Sequence, residues 1–151
     1  MDREQLLVLT QPLLARLSTL NASDPALASR ELAGFDVSAF EAGLRAFHAT
    51  GAATPREQGG VRFGRLAKAA PETLGFSIDI VEMSGAAVGA HTHPAGELDL
   101  CFALDGAPRF DGRSPGWVVY PPGSRHVPTV TGGRMLIAYF LPRGEIRFDP
   151  A

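Results

Sequence analysis

Leucines in the first fifty residues follow a helical period. Leu6, Leu9, Leu13, Leu17 and Leu20 recur every three or four positions, and Leu7 and Leu14 widen the stripe. That spacing predicts an amphipathic helix with one apolar face. Pro12 interrupts it, so the helix either kinks there or restarts with Thr10 as its cap. Ser23-Asp24-Pro25 is a second start signal, a capping side chain followed by proline in the first turn, and Gly34 ends that short helix. Asp36 caps a third helix, which carries Val37, Phe40, Leu44 and Phe47 on one side and closes at Gly51.

From about residue 60 the period changes from 3.6 to 2. Segments 61–66, 74–83, 89–93, 98–104, 117–120, 126–130 and 135–141 read as strands, most of them separated by Gly, Pro, Asp or Ser. Many short strands at close spacing predict a β-sandwich or barrel. The expected fold class is mainly β, with an N-terminal layer of two or three α-helices on an antiparallel barrel. Fifty helical residues alone would make a poor core. The chain is therefore expected to form a single domain, 1–151, with a helical layer over 1–50 and a barrel over 60–148.

Composition narrows the function. The 17 glycines and 12 prolines among 151 residues fit a turn-rich β fold rather than a bundle. A net charge of −2 argues against a nucleic-acid binder, which needs a basic face. The single Cys101 excludes an internal disulfide or a thiolate cluster and fits a reducing, cytoplasmic setting. The start, Met1-Asp2-Arg3-Glu4, lacks a basic leader, and no stretch approaches the ~20 apolar residues of a membrane span. Cys101 lies in an apolar run and reads as a buried, inert thiol.

Three of the four histidines fall in the β half. His91-Thr92-His93 places two imidazoles on one face of a strand. The turn Pro94-Ala95-Gly96 brings Glu97 back beside them, and His126 follows the turn Pro121–Arg125. Three imidazoles and a carboxylate suit a divalent transition metal such as Fe, Zn, Mn, Ni or Cu. The same residues could instead serve as hydrogen-bonding groups without metal. His48 sits alone on a helix and reads as structural or exposed.

This pattern resembles the cupin superfamily. Gly85, His91, His93 and Glu97 match the first part of its G-x5-H-x-H-x3/4-E-x6-G motif, with the closing glycine displaced to Gly106. Pro121-Pro122-Gly123-Ser124-Arg125-His126 matches the centre of the second, with Gly116 one residue too close and Val130 where Asn is usual. The resemblance covers about 60–148 and implies a jelly-roll barrel. A closer likeness lies in Gly89–Phe102, Gly116–Val130 and Tyr139-Phe140-Leu141-Pro142 with Gly144-Glu145-Ile146. These stretches look like the 4-hydroxylaminobenzoate lyase family of small cupin-like proteins.

That resemblance implies a small aromatic acid as substrate, converted to 3,4-dihydroxybenzoate and ammonia with uptake of water, and a homodimer. It implies His91, His93, Glu97 and His126 as metal ligands. Asp99, two residues after Glu97, shares its face and is a candidate acid or base beside Glu97, or else a rim salt bridge. Arg109 and Arg125 are candidate anchors for a substrate carboxylate, or solvated surface groups. Tyr120 and Trp117 fall on opposite faces of one strand, so one of them could line the pocket. Without metal, protonated His and Glu97 would do acid–base work directly. A cupin dioxygenase of a small aromatic substrate and a non-catalytic binder of small molecules are the alternatives.

Overall fold

The computed structural model describes residues 1–87 and 89–150, so Val88 and Ala151 of the expected domain lie outside the described residues. Helix α1, Arg3–Leu17, opens with a reciprocal cap: the Gln5 amide donates to the Asp2 carboxylate at 2.8 Å, and the Asp2 amide donates to the Gln5 side chain at 2.9 Å. The helix runs through Pro12 without a restart. Proline removes the amide that would reach the carbonyl of Val8, and Val8 is 69% exposed, so water can take that carbonyl. Thr10 is not a cap: it is buried mid-helix, its hydroxyl donating to the Leu6 carbonyl at 2.7 Å.

Helix α2, Pro25–Ala33, starts as expected with Asp24 accepting the Leu27 amide. Helix α3 spans Ser38–Ala49, and its cap position is Val37 rather than Asp36. Asp36 still accepts from the Ser38 amide and hydroxyl, at 2.9 and 2.7 Å. Gly43 lets α3 lie close on α1, since a Cβ there would come 2.6 Å from Leu9 Cδ1.

Nine strands follow. They are β1 Arg56–Gln58, β2 Val61–Ala67, β3 Phe76–Met83, β4 His91–His93, β5 Glu97–Phe110, β6 Gly116–Tyr120, β7 Ser124–His126, β8 Val130–Pro142 and β9 Arg147–Phe148. One sheet has the order β1-β2-β3-β8-β5-β6 and the other β7-β4-β9, and all pairings are antiparallel. From β3 onward the chain crosses between the sheets at every step except β5 to β6, as in a jelly roll. The expected jelly roll takes the form of two facing sheets, with no ladder among the described residues joining their edges.

Strand boundaries shift for local reasons. β3 begins two residues late because Leu74 and Gly75 leave a 3-10 turn with φ of 52° and 83°. The segment read as 126–130 divides, since His126 ends β7 and Val130 begins β8. The short β1 and β9 carry no alternation long enough to see in the sequence.

The large sheet has two unlike faces. Ile78, Ile80, Leu98, Leu100, Ala138 and Phe140 pack under the helices with Leu6, Leu14, Phe40 and Leu44. Cys101, Phe110, Val118, Val130, Ile137 and Tyr139 form a second cluster on the other face, toward the small sheet. Phe40 is 1% exposed, and its ring centroid lies 6.2 Å from that of Phe140 and 6.4 Å from that of Phe102. Among the described residues no helix is long and apolar enough to cross a membrane.

Phe40→Ala would leave a void between helix and sheet. Urea unfolding should show a loss of about 3–5 kcal/mol. Val8→Ala, on the exposed side of α1, should stay within about 0.5 kcal/mol of the parent.

Candidate metal centre

Backbone pairing assembles the site. Strand β4 pairs with β7 so that His91 faces His126, and alternation puts His93 on the same face as His91. The turn Pro94–Gly96 reverses the chain into β5. Gly96 holds φ at 88°, where a Cβ would meet the Tyr120 carbonyl at 2.9 Å. Glu97 then opens β5 across from β4. The four ligand atoms of His91, His93, Glu97 and His126 all lie within 4.8 Å of one another.

The contacts inside this cluster are close. Glu97 Oε2 lies 2.6 Å from His93 Nε2 and 3.1 Å from His126 Nε2. His126 Nε2 lies 3.2 Å from His91 Nε2 and 3.1 Å from His93 Nε2. On the far side of its ring, His126 Nδ1 lies 2.7 Å from a carboxylate oxygen of Asp111. Glu97 is fully buried and His93 nearly so. Glu97 Oε1, His93 Nδ1 and both oxygens of Asp99 are buried without a hydrogen-bond partner among the described residues. Three ring nitrogens and one carboxylate oxygen converging in a largely buried space is a donor set that fits a divalent cation.

Charge is divided unevenly across the cluster. Burial would lower His126, but hydrogen bonds to Asp111 and Glu97 outweigh it and raise its pKa to about 9. Burial and the neighbouring His93 push His91 down to about 4. Burial would raise Glu97, yet its bonds to His126 and His93 hold it down at about 2. Asp99 goes the other way: burial and the charge of Glu97 push it well above the usual carboxylate range.

The surroundings sort the remaining candidates. Asp99 lies two positions along β5 from Glu97, on the face that carries Cys101 and Tyr139, and it is fully buried rather than part of a rim salt bridge. Tyr120 is the aromatic on the site side, its ring centroid 4.4 Å from that of His126, whereas Trp117 packs against Phe140 beneath the helices. Arg125 alternates with His126 and so faces outward, where it binds Asp149. Arg109 is exposed and donates to the Gly112 carbonyl at 3.2 Å. Neither arginine hydrogen-bonds to the four clustered side chains. Cys101 is completely buried, and burial pushes its thiol up, the opposite of an activated nucleophile. His48 lies 3.5 Å from Glu82, away from this cluster.

Three further residues carried no sequence signal. Asp111 lies in the β5–β6 turn. Phe148, 71% exposed, sets its ring edge-on to His91 at 5.6 Å from strand β9. Arg65 lies on β2 with its side chain half exposed, in bidentate contact with Asp79 at 2.8 and 3.2 Å. The pairing Arg65–Asp79–Tyr139–Asp99 makes one cross-strand row that ends beside the cluster. A row of this kind depends on strand register, which residue spacing does not reveal.

The family model described as PnbB: 4-hydroxylaminobenzoate lyase matches residues 33–148. The chain belongs to the 4-hydroxylaminobenzoate lyase family. The matched span includes α3, both sheets and every member of the cluster. A 4-hydroxylaminobenzoate lyase of Pseudomonas putida is 33% identical over 103 residues, covering 58% of each chain. One of Nocardioides sp. (strain LMS-CY) is 34% identical over 95 residues, covering 58% of this chain and 56% of its own. The match thus spans little more than half the length of these curated relatives. Among solved structures, an RmlC-like cupin protein from Ralstonia eutropha JMP134 is 16% identical with a TM-score of 0.43, covering 62% of each chain.

A cation that enters this four-residue cluster must displace the proton that His126 holds up to about pH 9. Affinity for Mn²⁺ should therefore rise with pH, by roughly tenfold per unit between about pH 6 and 8. Titration calorimetry at several pH values checks this, and a flat profile would remove His126 from the ligand set. His93→Ala should abolish metal binding by the same measurement.

Proposed function

We propose that the protein is a lyase acting on 4-hydroxylaminobenzoate or a closely related hydroxylamino-aromatic acid, releasing ammonia and 3,4-dihydroxybenzoate. The observation that carries this reading is the pairing of the His91–His93–Glu97–His126 cluster with a buried acid, Asp99, inside the region matched to the family. The reaction balances without an outside oxidant. Net, one water is taken up: the N–O bond, the ring C–N bond and one ring C–H bond break, two ring C–O bonds form, and nitrogen leaves as ammonia. Nitrogen is reduced by the two electrons that the ring gives up.

His91, His93, Glu97 and His126 would hold a divalent cation such as Fe, Zn, Mn or Ni. Bound there, it supplies Lewis acidity toward the hydroxylamino oxygen. Burial and the Glu97 charge push Asp99 well above the usual carboxylate range, so it is the carboxyl suited to protonate the departing oxygen. Glu97 stays ionised and draws positive charge into the site. Tyr120 offers an aromatic wall beside His126. Arg65, half exposed on β2 and held by Asp79, joins Arg109 and Arg125 as a candidate to meet a substrate carboxylate.

The test is an anaerobic incubation of metal-assayed protein with 4-hydroxylaminobenzoate, following ammonia and 3,4-dihydroxybenzoate together. Equal yields of the two support the lyase. Turnover that appears only with oxygen supports a dioxygenase instead, and retained ligand binding without turnover a binding protein. Asp99→Asn should keep its metal content while kcat falls by roughly 10²- to 10⁴-fold. An unchanged kcat would remove Asp99 from the acid role.

A further inference from the structure

The turn after β5 sets one residue behind His126. Asp111 has φ of 48°, a left-handed conformation uncommon outside Gly, Asn and Asp. Two backbone bonds close the turn around it: the Phe110 amide donates to the Arg113 carbonyl at 2.8 Å, and the Arg113 amide to the Phe110 carbonyl at 2.9 Å. Asp111 is further clamped to Thr129. Its own amide donates to the Thr129 carbonyl at 2.8 Å, and its Oδ1 accepts the Thr129 amide at 2.9 Å. The other oxygen, Oδ2, accepts from the Tyr120 hydroxyl and lies 2.7 Å from His126 Nδ1.

An ionised carboxylate can only accept. Facing it, His126 must carry a proton on Nδ1, which leaves Nε2 to point into the cluster. We propose that Asp111 is a positioning residue that fixes the protonated nitrogen of His126 and so dedicates Nε2 to the divalent cation that His91, His93 and Glu97 would share. The proposal rests on His126 being a ligand. Partners of this kind behind a ligating imidazole set its tautomer and ring orientation.

What Asp111 contributes is its accepting chemistry, and shape alone does not replace it. Asparagine has the same outline and tolerates positive φ. The Thr129 amide would still require an acceptor, which turns the asparagine oxygen toward Thr129 and its NH2 toward His126. Nδ1 would then face a donor and have to present its lone pair. The ring proton would move to Nε2, in the cation's place. Glycine keeps the turn at no steric cost and deletes the acceptor, leaving His126 free to take either tautomer.

The experiment measures Co²⁺ affinity and visible absorption of the full chain for the parent, Asp111→Asn and Asp111→Gly, with thermal unfolding of each metal-free protein alongside. The expected order of affinity is parent, then Asp111→Gly, then Asp111→Asn, with the asparagine variant weaker by about 10- to 100-fold and its Co²⁺ spectrum altered. A residue that merely holds the turn gives the reverse order, with asparagine nearest the parent, and that result overturns the proposal. Equal affinity in the parent and Asp111→Asn overturns it too. A parent that takes up no Co²⁺ overturns both this role and the ligand assignment of His126. Because binding is read rather than turnover, failure of the lyase reading would leave the ranking intact.

Discussion

Lone pairs crowded together repel, and His91, His93, His126 and Glu97 direct theirs at one buried point. The arrangement is favourable only with positive charge in the middle, whether protons or a metal ion. The attachment of the small sheet depends on this. Its strands have only three, three and two residues and bring little apolar surface of their own. What ties them to the large sheet is the bonding of His93 and His126 to Glu97, together with the packing of Phe110 and Tyr120 on His126. The centre is therefore also a clasp between the two layers. A cation bound there would stabilise the fold by mass action as well as serve chemistry.

Two carboxylates stand two positions apart on β5 and are pushed in opposite directions. Glu97 receives bonds from two imidazoles and stays charged. Asp99, two positions on, receives none among the described residues and faces that charge from a dry interior. Environments that drive neighbouring groups apart in this way divide acid from anion without any difference in side-chain type.

The four clustered residues were legible because strands alternate and short turns reverse the chain. H-x-H fixes a face, and a glycine turn returns the next carboxylate to it. The helices were legible from leucine spacing, and of the two readings at Pro12 only the restart fails, because proline is tolerated where the carbonyl it strands can meet water. Asp111 could not be read, since its place depends on a loop meeting Thr129 eighteen residues later. Arg65 was hidden for a similar reason: its row crosses β2, β3, β8 and β5, and only register brings those positions into line. Tyr120 and Trp117 could be set on opposite faces from parity alone, but which face met the site depended on where the helices docked.

Strand β5 carries Leu98 and Leu100 toward the helices and Glu97, Asp99 and Cys101 toward the site. Inserting one residue early in this strand would rotate every following side chain to the other layer, placing carboxylates among leucines and leucines at the centre. Two residues would restore the alternation. Length changes within this segment are therefore tolerable only in pairs, while the exposed Ser114–Pro115 stretch, beyond the Phe110–Arg113 bonds, is free to grow by any number. Divergence in size among related chains should concentrate in such connections and leave the spacing from His91 to Cys101 untouched.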